Sequence, residues 1–374
     1  MTPGGPTLSP AALDGLVADG TVPGCSVALR HGNDITVVAA GLADIGTDRP
    51  FASNTVHRVS SLSKPVAALV TMQQVEAGAL ALDEPIGTWL PELADVRVLT
   101  EPHGRLDETQ PLRRPVLVRH LLTMTSGFGV LREETPLSEA LDEAGVAPGP
   151  APPALPPDEV LARLAALPLA FQPGEGWAYH TSTDVLSIVL ARAAGQGLDD
   201  LVEVGVRAPL GVEVLAFSPP HGSDVATVYD PQPGGLTPVD HGALDGPPPF
   251  LSLSAGLFTT APDYLRVLDE LARPTTVEPA SAELIHTPQL TDDQVRAAGD
   301  FLPPGYSYGF QVSVAVRDDP LGPRRRSFGW SGGSGCLAVA DPAADRAGVL
   351  LTNRQLGGPD GSPAFRPFLA AMYR

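Results

Sequence analysis

The sequence predicts an α+β protein: one antiparallel sheet built from both chain ends and flanked by helices, with a mostly helical region inserted between the sheet-forming parts. Three observations predict it. Strand-like runs occupy 25–41 near one end and 308–352 near the other. Residues from about 86 to 250 read instead as helices and loops. Val66 to Ala79 is apolar nearly all round, the pattern of a helix buried on every side. The expected division is a sheet-bearing domain of 1–85 plus 251–374 and a helical domain of 86–250, with the functional site in the cleft between them.

Taken in order, residues 9–19 read as a short helix capped by Ser9 or Pro10, and Val22-Pro23-Gly24 breaks the chain. Cys25 to Arg30 and Ile35 to Gly41 are β-rich runs separated by His31-Gly32-Asn33-Asp34, which makes them a hairpin. Proline is tolerated in the first turn of a helix and damaging further in, so Pro65 sets the start of the buried helix close to Ser61, and Gly78 lies near its end. Val118 to Met124 opens a helix that stops at Thr125-Ser126-Gly127, and the Pro-rich stretch Ala147 to Pro157 reads as an exposed loop. Asp158 to Leu167 and Thr183 to Ala194 are amphipathic helices, the second closed by Gly195. After Pro247-Pro248-Pro249 the character is mixed, with a helix from Ala261 to Leu271. Tyr308 to Val316, Ser327 to Gly329 running into Gly332, Cys336 to Ala340 and Gly348 to Thr352 are the later strands, and a helix from Ala364 to Met372 closes the chain.

At 374 residues the chain can bury a substantial core. Its net charge of −19 argues against nucleic acid and anionic membranes as partners. The N-terminus, Met1 to Pro6, shows no basic or apolar leader, and no run of 18 apolar residues occurs. Cys25 and Cys336 lie in apolar strand-like runs and read as buried free thiols. Together these features point to a cytoplasmic protein. No metal-binding spacing and no phosphate-cradling G-x-x-x-x-G-K-[ST] is present, so neither a metal nor a cofactor is expected.

Lys64 is the only lysine among 24 basic residues. Where arginine fills every other cationic role, a single lysine suggests a task that needs a dissociable proton. Ser61 precedes it by three positions, which puts both side chains on one helix face. A serine hydroxyl is a weak nucleophile until a base takes its proton. An amine of ordinary pKa about 10.4 becomes such a base when burial and a helix N-terminus push it down by roughly 2–3 units. Gly329-Trp330-Ser331-Gly332-Gly333 matches the competing nucleophile-elbow pattern G-x-S-x-G, but that arrangement needs a following helix and a later histidine. Here a Gly-rich stretch and a strand follow Ser331, and the last histidine is His286.

Several ordered blocks carry a resemblance over most of the chain. They are His57 to Pro65 with its Ser-x-x-Lys, Leu82-Asp83-Glu84-Pro85, Val118 to Gly127, Phe171-Gln172-Pro173-Gly174, Trp177 to Thr181, Phe328 to Gly333, and Leu350 to Arg354. Together they resemble the serine β-lactamase-like superfamily: class C β-lactamases, D-alanyl-D-alanine carboxypeptidases and the related esterases often called family VIII. The resemblance implies a β-lactamase/penicillin-binding-protein-like fold and an acyl-enzyme on Ser61. It implies general-base and general-acid work shared by Lys64 and Tyr179. It also implies an oxyanion hole from the backbone N–H groups of Ser61, at a helix start, and Gly333, on an edge strand. Trp330, Ser331, Gly332 and Thr181 would line the substrate.

Two departures narrow the expectation. Position 181 is Thr where β-lactamases and peptidases of the family carry Asn, and position 330 is Trp where they carry Lys or His. Losing that cation removes a partner for a substrate carboxylate and leaves an apolar wall, which suits a neutral acyl or alcohol group. Asp184 also resembles the esterase branch, with a buried helix-capping role expected for it. Arg324-Arg325-Arg326 could recognise an anionic substrate, but it reads first as a solvated loop near an acidic surface. The activity expected is a carboxylesterase on small neutral esters. Open beside it stand an acyltransferase of natural-product metabolism and a β-lactamase or D-amino-acid peptidase. A non-catalytic penicillin-recognising sensor is disfavoured, because Ser61, Lys64 and Tyr179 are all present.

Overall fold

The computed structural model describes residues 15–18, 20–131, 133–239, 246–357 and 361–373. Its centre is an eight-stranded, all-antiparallel sheet. The early part of the chain supplies β1 (Gly24–His31), β2 (Asp34–Asp44) and β3 (Arg49–Pro50). The late part supplies β4 (Tyr306–Tyr308), β5 (Ser313–Ala315), β6 (Phe328–Gly332), β7 (Cys336–Asp341) and β8 (Arg346–Thr352). The order is β4-β5-β6-β7-β8-β1-β2-β3, so the two ends of the chain meet at the β8–β1 ladder, Cys25 opposite Thr352 through His31 opposite Arg346. Five helices matter for the site and its support: α1 (Lys64–Glu76), α2 (Val118–Leu122), α3 (Thr181–Ala194), α4 (Ala261–Ala272) and α5 (Phe365–Met372).

Strand side chains alternate between faces, and β1 buries both. Ala28 joins the main core with Leu265 and Leu268 of α4, whereas Val27 and Leu29 join Phe368 and Met372 of α5. The central strands therefore read as unbroken apolar runs, because helices cover the sheet on both sides. The expected hairpin turns on Gly32-Asn33, with Gly32 at φ +59° and His31 paired to Asp34. Of the expected helix over 9–19, residues 15–18 are helical and the rest lies outside the described residues. Cys25 and Cys336 are both buried, and Cys336 is a free thiol.

α1 is the buried helix of the sequence. Every residue from Lys64 to Met72 is buried, and Gly78 at φ +71° follows its end. α3 begins at Thr181, two residues earlier than expected, and is buried from Thr181 to Leu190. Three expectations are corrected. The strand expected over Tyr308 to Val316 is a hairpin, β4 and β5, because Gln311 takes φ +62° and reverses the chain. The stretch 147–157 is mostly half-buried: Pro150 accepts a hydrogen bond from Ser60 Oγ, and Pro152 lies against Gly256. The inserted region also carries short strands, among them the Tyr229–Gln232 and Gly235–Pro238 hairpin, which turns on Pro233-Gly234.

Candidate active site

Ser61 and Lys64 flank a junction between a short 3-10 turn, Ser60–Ser63, and α1. A 3-10 turn has three residues per turn, so positions i and i+3 stack directly. The turn is pinned from three sides. Ser63 Oγ donates to Ser60 O at 2.7 Å and accepts from Leu257 N at 3.0 Å. The Tyr264 hydroxyl donates to Leu62 O at 2.5 Å. Ser60 is held at φ +46°, a region that costs a serine free energy and persists only where the surroundings over-determine it. The result is a half-exposed Ser61 above a fully buried Lys64.

Lys64 Nζ lies 3.3 Å from Ser61 Oγ, 2.6 Å from the Ser254 carbonyl oxygen and 3.3 Å from His180 Nδ1. Burial pushes its pKa down to about 7, with the charge of Asp184 pulling the other way. At neutral pH a large fraction of this amine is therefore unprotonated and able to accept a proton. Asp184 is itself buried. It accepts from Ser252 Oγ and Ser254 Oγ, each at 2.6 Å, and its other oxygen is 3.8 Å from His180 Nε2. Burial raises its pKa, and the two hydroxyls and Lys64 oppose that rise. The expected helix-capping role does not hold. Asp184 sits inside the first turn of α3, and its carboxylate points to the 252–254 segment rather than to backbone N–H groups.

Tyr179 reaches the same place from the strand-like segment before α3. Tyr179 N donates to Val130 O at 2.9 Å, and Val130 N donates back at 3.2 Å. Gly129 permits this approach: at φ +126°, a Cβ there would stand 2.4 Å from Tyr179 O. The phenol receives the indole N–H of Trp330 at 2.8 Å. Burial raises the Tyr179 pKa to about 12, against the lowering effect of hydrogen bonds with Ser61 and Trp330, so the hydroxyl keeps its proton at neutrality. Its ring is boxed by Trp177, Phe301 and Trp330, with centroids 5.7, 4.7 and 5.7 Å away, and Lys64 Nζ sits 4.7 Å from its centre.

β6 forms the facing wall. β5 pairs with it only at Phe328 and Gly329, which leaves Trp330 to Gly332 without a strand partner on that side. Gly332 has no room for a side chain, since a Cβ would stand 2.1 Å from Val59 O, two residues before Ser61. Gly333 lies just past the end of β6, an interior strand, rather than on an edge strand as expected; it has open space beside it, and its carbonyl accepts from Leu356 N. Ser331 is in the strand itself and is followed by the β6–β7 turn, so the nucleophile-elbow geometry is absent there. Thr181 is buried, and its hydroxyl has no hydrogen-bond partner.

Arg324, Arg325 and Arg326 are exposed, and Arg326 pairs with Glu283 on the surface. Among the described residues no group of His, Cys, Asp and Glu is placed to hold a metal ion. No helix among them is long and apolar enough to cross a membrane. Sequence reasoning missed His180, Ser252 and Ser254. The available signal was the stretch Phe250 to Phe258, where Ser252 and Ser254 alternate with apolar residues in an otherwise buried run.

The Beta-lactamase family profile matches residues 11–370 of the chain. Protein Rv1367c of Mycobacterium tuberculosis is 34% identical over 323 residues, spanning 82% of this chain and 79% of that one. Esterase EstB of Burkholderia gladioli is 33% identical over 360 residues, spanning 90% and 87%. Among solved structures, EstCE1, described as a hydrolase with promiscuous acyltransferase activity, superposes with a TM-score of 0.82 over 97% of both chains at 24% identity.

Proposed function

The chain belongs to the Beta-lactamase family, and on that premise we propose that it is a serine hydrolase working through an acyl-enzyme, a carboxylesterase on small neutral esters. The observation that carries this reading is the half-exposed Ser61 hydroxyl 3.3 Å from a buried amine of lowered pKa. Ser61 Oγ attacks the acyl carbonyl, and its proton passes to Lys64 Nζ. The backbone N–H groups of Ser61 and Gly333 receive the developing oxyanion, as donors fixed before the charge arrives. The Tyr179 hydroxyl gives its proton to the departing alkoxide and is resupplied from Lys64. Water then attacks the acyl-Ser61 ester, the protons retrace their path, and the acid is released. Lys64 is the base of this reading because its proton is lost near neutrality, whereas the Tyr179 phenol retains its own.

The substrate enters the cleft between the sheet-bearing part (1–85 with 251–374) and the inserted region (86–250), and Trp330, Ser331, Gly332 and Thr181 line it. The neutral-ester preference rests on Trp330, whose bulk replaces a cation. The relative named Esterase EstB supports the same class. Transfer of the acyl group to an alcohol or amine differs only in the acceptor and is the second reading, supported by the acyltransferase activity in the description of EstCE1. The net charge of −19 supports work on small molecules, apart from nucleic acids and anionic membranes, and the buried free thiol of Cys336 fits a reducing compartment such as the cytoplasm. The test is intact-mass detection of an acyl adduct on Ser61 across activated esters, β-lactams and D-amino-acid amides. Rapid, transient labelling by esters is expected. Labelling at any residue other than Ser61 would overturn the assignment.

A further inference from the structure

His180 is the one site neighbour whose backbone departs furthest from ordinary geometry. It takes φ +86°, ψ −69°, a conformation that side-chain-bearing residues rarely adopt, and it is buried. Its ring is held edge-on against Tyr179, with centroids 5.8 Å apart and planes at 80°. One ring nitrogen faces Lys64 and the other faces Asp184.

We infer that His180 is a positioning residue which, together with the Ser254 carbonyl, takes up both N–H bonds of the neutral Lys64 amine and so leaves the nitrogen lone pair aimed at Ser61. This rests on the reading of Ser61 as nucleophile and Lys64 as base. A neutral amine has two hydrogens and one lone pair, and Lys64 Nζ has three close polar neighbours. The Ser254 carbonyl, at 2.6 Å, can only accept. The role of His180 Nδ1 depends on where the ring proton sits, and a ring nitrogen's tautomer is set by the partner of the other nitrogen. His180 Nε2 faces the Asp184 carboxylate at 3.8 Å, which draws the proton to that side and leaves Nδ1 as an acceptor. Asp184 is held in this orientation by the hydroxyls of Ser252 and Ser254 on its other oxygen. With both N–H bonds committed, the lone pair points to the remaining neighbour, the Ser61 hydroxyl. After proton transfer the third hydrogen lies on that same line. The groups facing the imidazole are Lys64, Asp184 and Tyr179, and both burial and the Lys64 charge keep it neutral.

The test compares His180→Leu, which has no acceptor, with His180→Asn, whose amide oxygen can replace Nδ1 and whose residue type tolerates positive φ. Hydrolysis of p-nitrophenyl butyrate is followed from pH 5 to 9, with labelling by a fluorophosphonate read by intact mass. The Leu variant is expected to lose roughly 100-fold in kcat, at the low end of general-base effects, with KM within about 2-fold. Its acidic limb should move to lower pH, because protonated Lys64 loses an acceptor. The Asn variant should recover at least about 10-fold of the loss. A folded Leu variant with native kcat, or Leu and Asn variants impaired alike with an unmoved limb, would overturn the proposal. If the Leu variant does not fold, the Asn variant decides: a kcat within about 10-fold of native supports the role, and a loss of roughly 100-fold removes it. Failure of the native protein to label at Ser61 would instead sink the underlying reading of the nucleophile.

Discussion

The indole Nε1–H of Trp330 donates to the hydroxyl of Tyr179 at 2.8 Å. An indole has one polar hydrogen, so at this site it is committed to the phenol. What Trp330 could present to a substrate is its apolar ring, packed edge-on against Tyr308 in a residue only 7% exposed. The same contact orients the phenol, because a hydroxyl that accepts from the indole turns its own proton elsewhere.

A neutral ester should therefore be a better substrate than a β-lactam. A β-lactam carries a carboxylate, and a Lys or His at position 330 would offer it a charge-assisted bond, roughly twice as strong as a neutral one. Trp330 offers neither a charge nor a free N–H. We expect kcat/KM for p-nitrophenyl butyrate to exceed that for nitrocefin, and Trp330→Lys to gain β-lactam acylation in part while losing ester turnover. Nitrocefin turnover above ester turnover in the native enzyme would show that position 330 does not set the preference.

Ser61→Ala should abolish ester hydrolysis, and Ser331→Ala should retain acylation with at most a partial loss of rate. Ser331 lies within β6, half-exposed, and the turn into β7 follows it directly. The measurement is burst-phase release of p-nitrophenol. An active Ser61→Ala protein together with a silent Ser331→Ala protein would reverse the two assignments.

Lys64→Arg should cost about 10²–10⁴ in kcat/KM, the range of general-base effects. Arginine keeps the charge and roughly the length but cannot give up its proton. It would also place a wider, permanently charged group in a site where Lys64 is fully buried. Steady-state kinetics on a variant whose melting temperature shows it to be folded provides the check. Near-native turnover would mean that Lys64 acts only through its charge.

The fold was legible where its signals are local. The β-rich run from Cys25 to Arg30, the proline at 65 and the turn at Gly32-Asn33 each act over a few residues. Ser61 and Lys64 were legible for the same reason, as neighbours on one turn. The hairpin at Gln311 was not, because a glutamine at φ +62° has no sequence signature; its amide is fixed by contacts with Thr183 and with the carbonyls of Leu121 and Leu122, more than a hundred residues away. Asp184 was visible as a residue but not in its role. Its partners, Ser252 and Ser254, lie 68 and 70 positions downstream, and only tertiary structure brings them to it.

Gly332 and Gly333 should respond differently to the same change. A Cβ at Gly332 would stand 2.1 Å from Val59 O, so Gly332→Ala must push β6 away from the Ser61 turn. Overpacking of this kind costs about 1–3 kcal/mol, and activity should fall with the melting temperature. At Gly333 nothing lies within 4 Å of a Cβ, so Gly333→Ala should fold normally, and it retains the backbone N–H proposed for the oxyanion hole. Thermal melts and ester kinetics on the pair check this. A severe folding defect in Gly333→Ala would contradict the geometry.

Asp184→Asn should move the acidic limb of the ester pH profile to lower pH. If the neutral amine is the base, as proposed, kcat/KM should rise as pH climbs through the Lys64 pKa, which lies at about 7. Burial lowers that pKa and the Asp184 charge raises it. Removing the charge leaves burial unopposed, so the amine loses its proton at a lower pH and the limb moves with it. The plateau should fall as well. If the Asn oxygen keeps the Ser252 and Ser254 hydroxyls, its amide N–H faces His180 Nε2 and favours the tautomer in which Nδ1 carries the proton. Nδ1 then no longer accepts from Lys64. The measurement is kcat/KM for p-nitrophenyl butyrate from pH 5 to 9 in native and variant enzymes at one ionic strength. A limb that moves upward would mean that Asp184 does not raise the Lys64 pKa, against the sign assigned to its charge, and an unmoved limb would mean that Asp184 does not act on Lys64 at all.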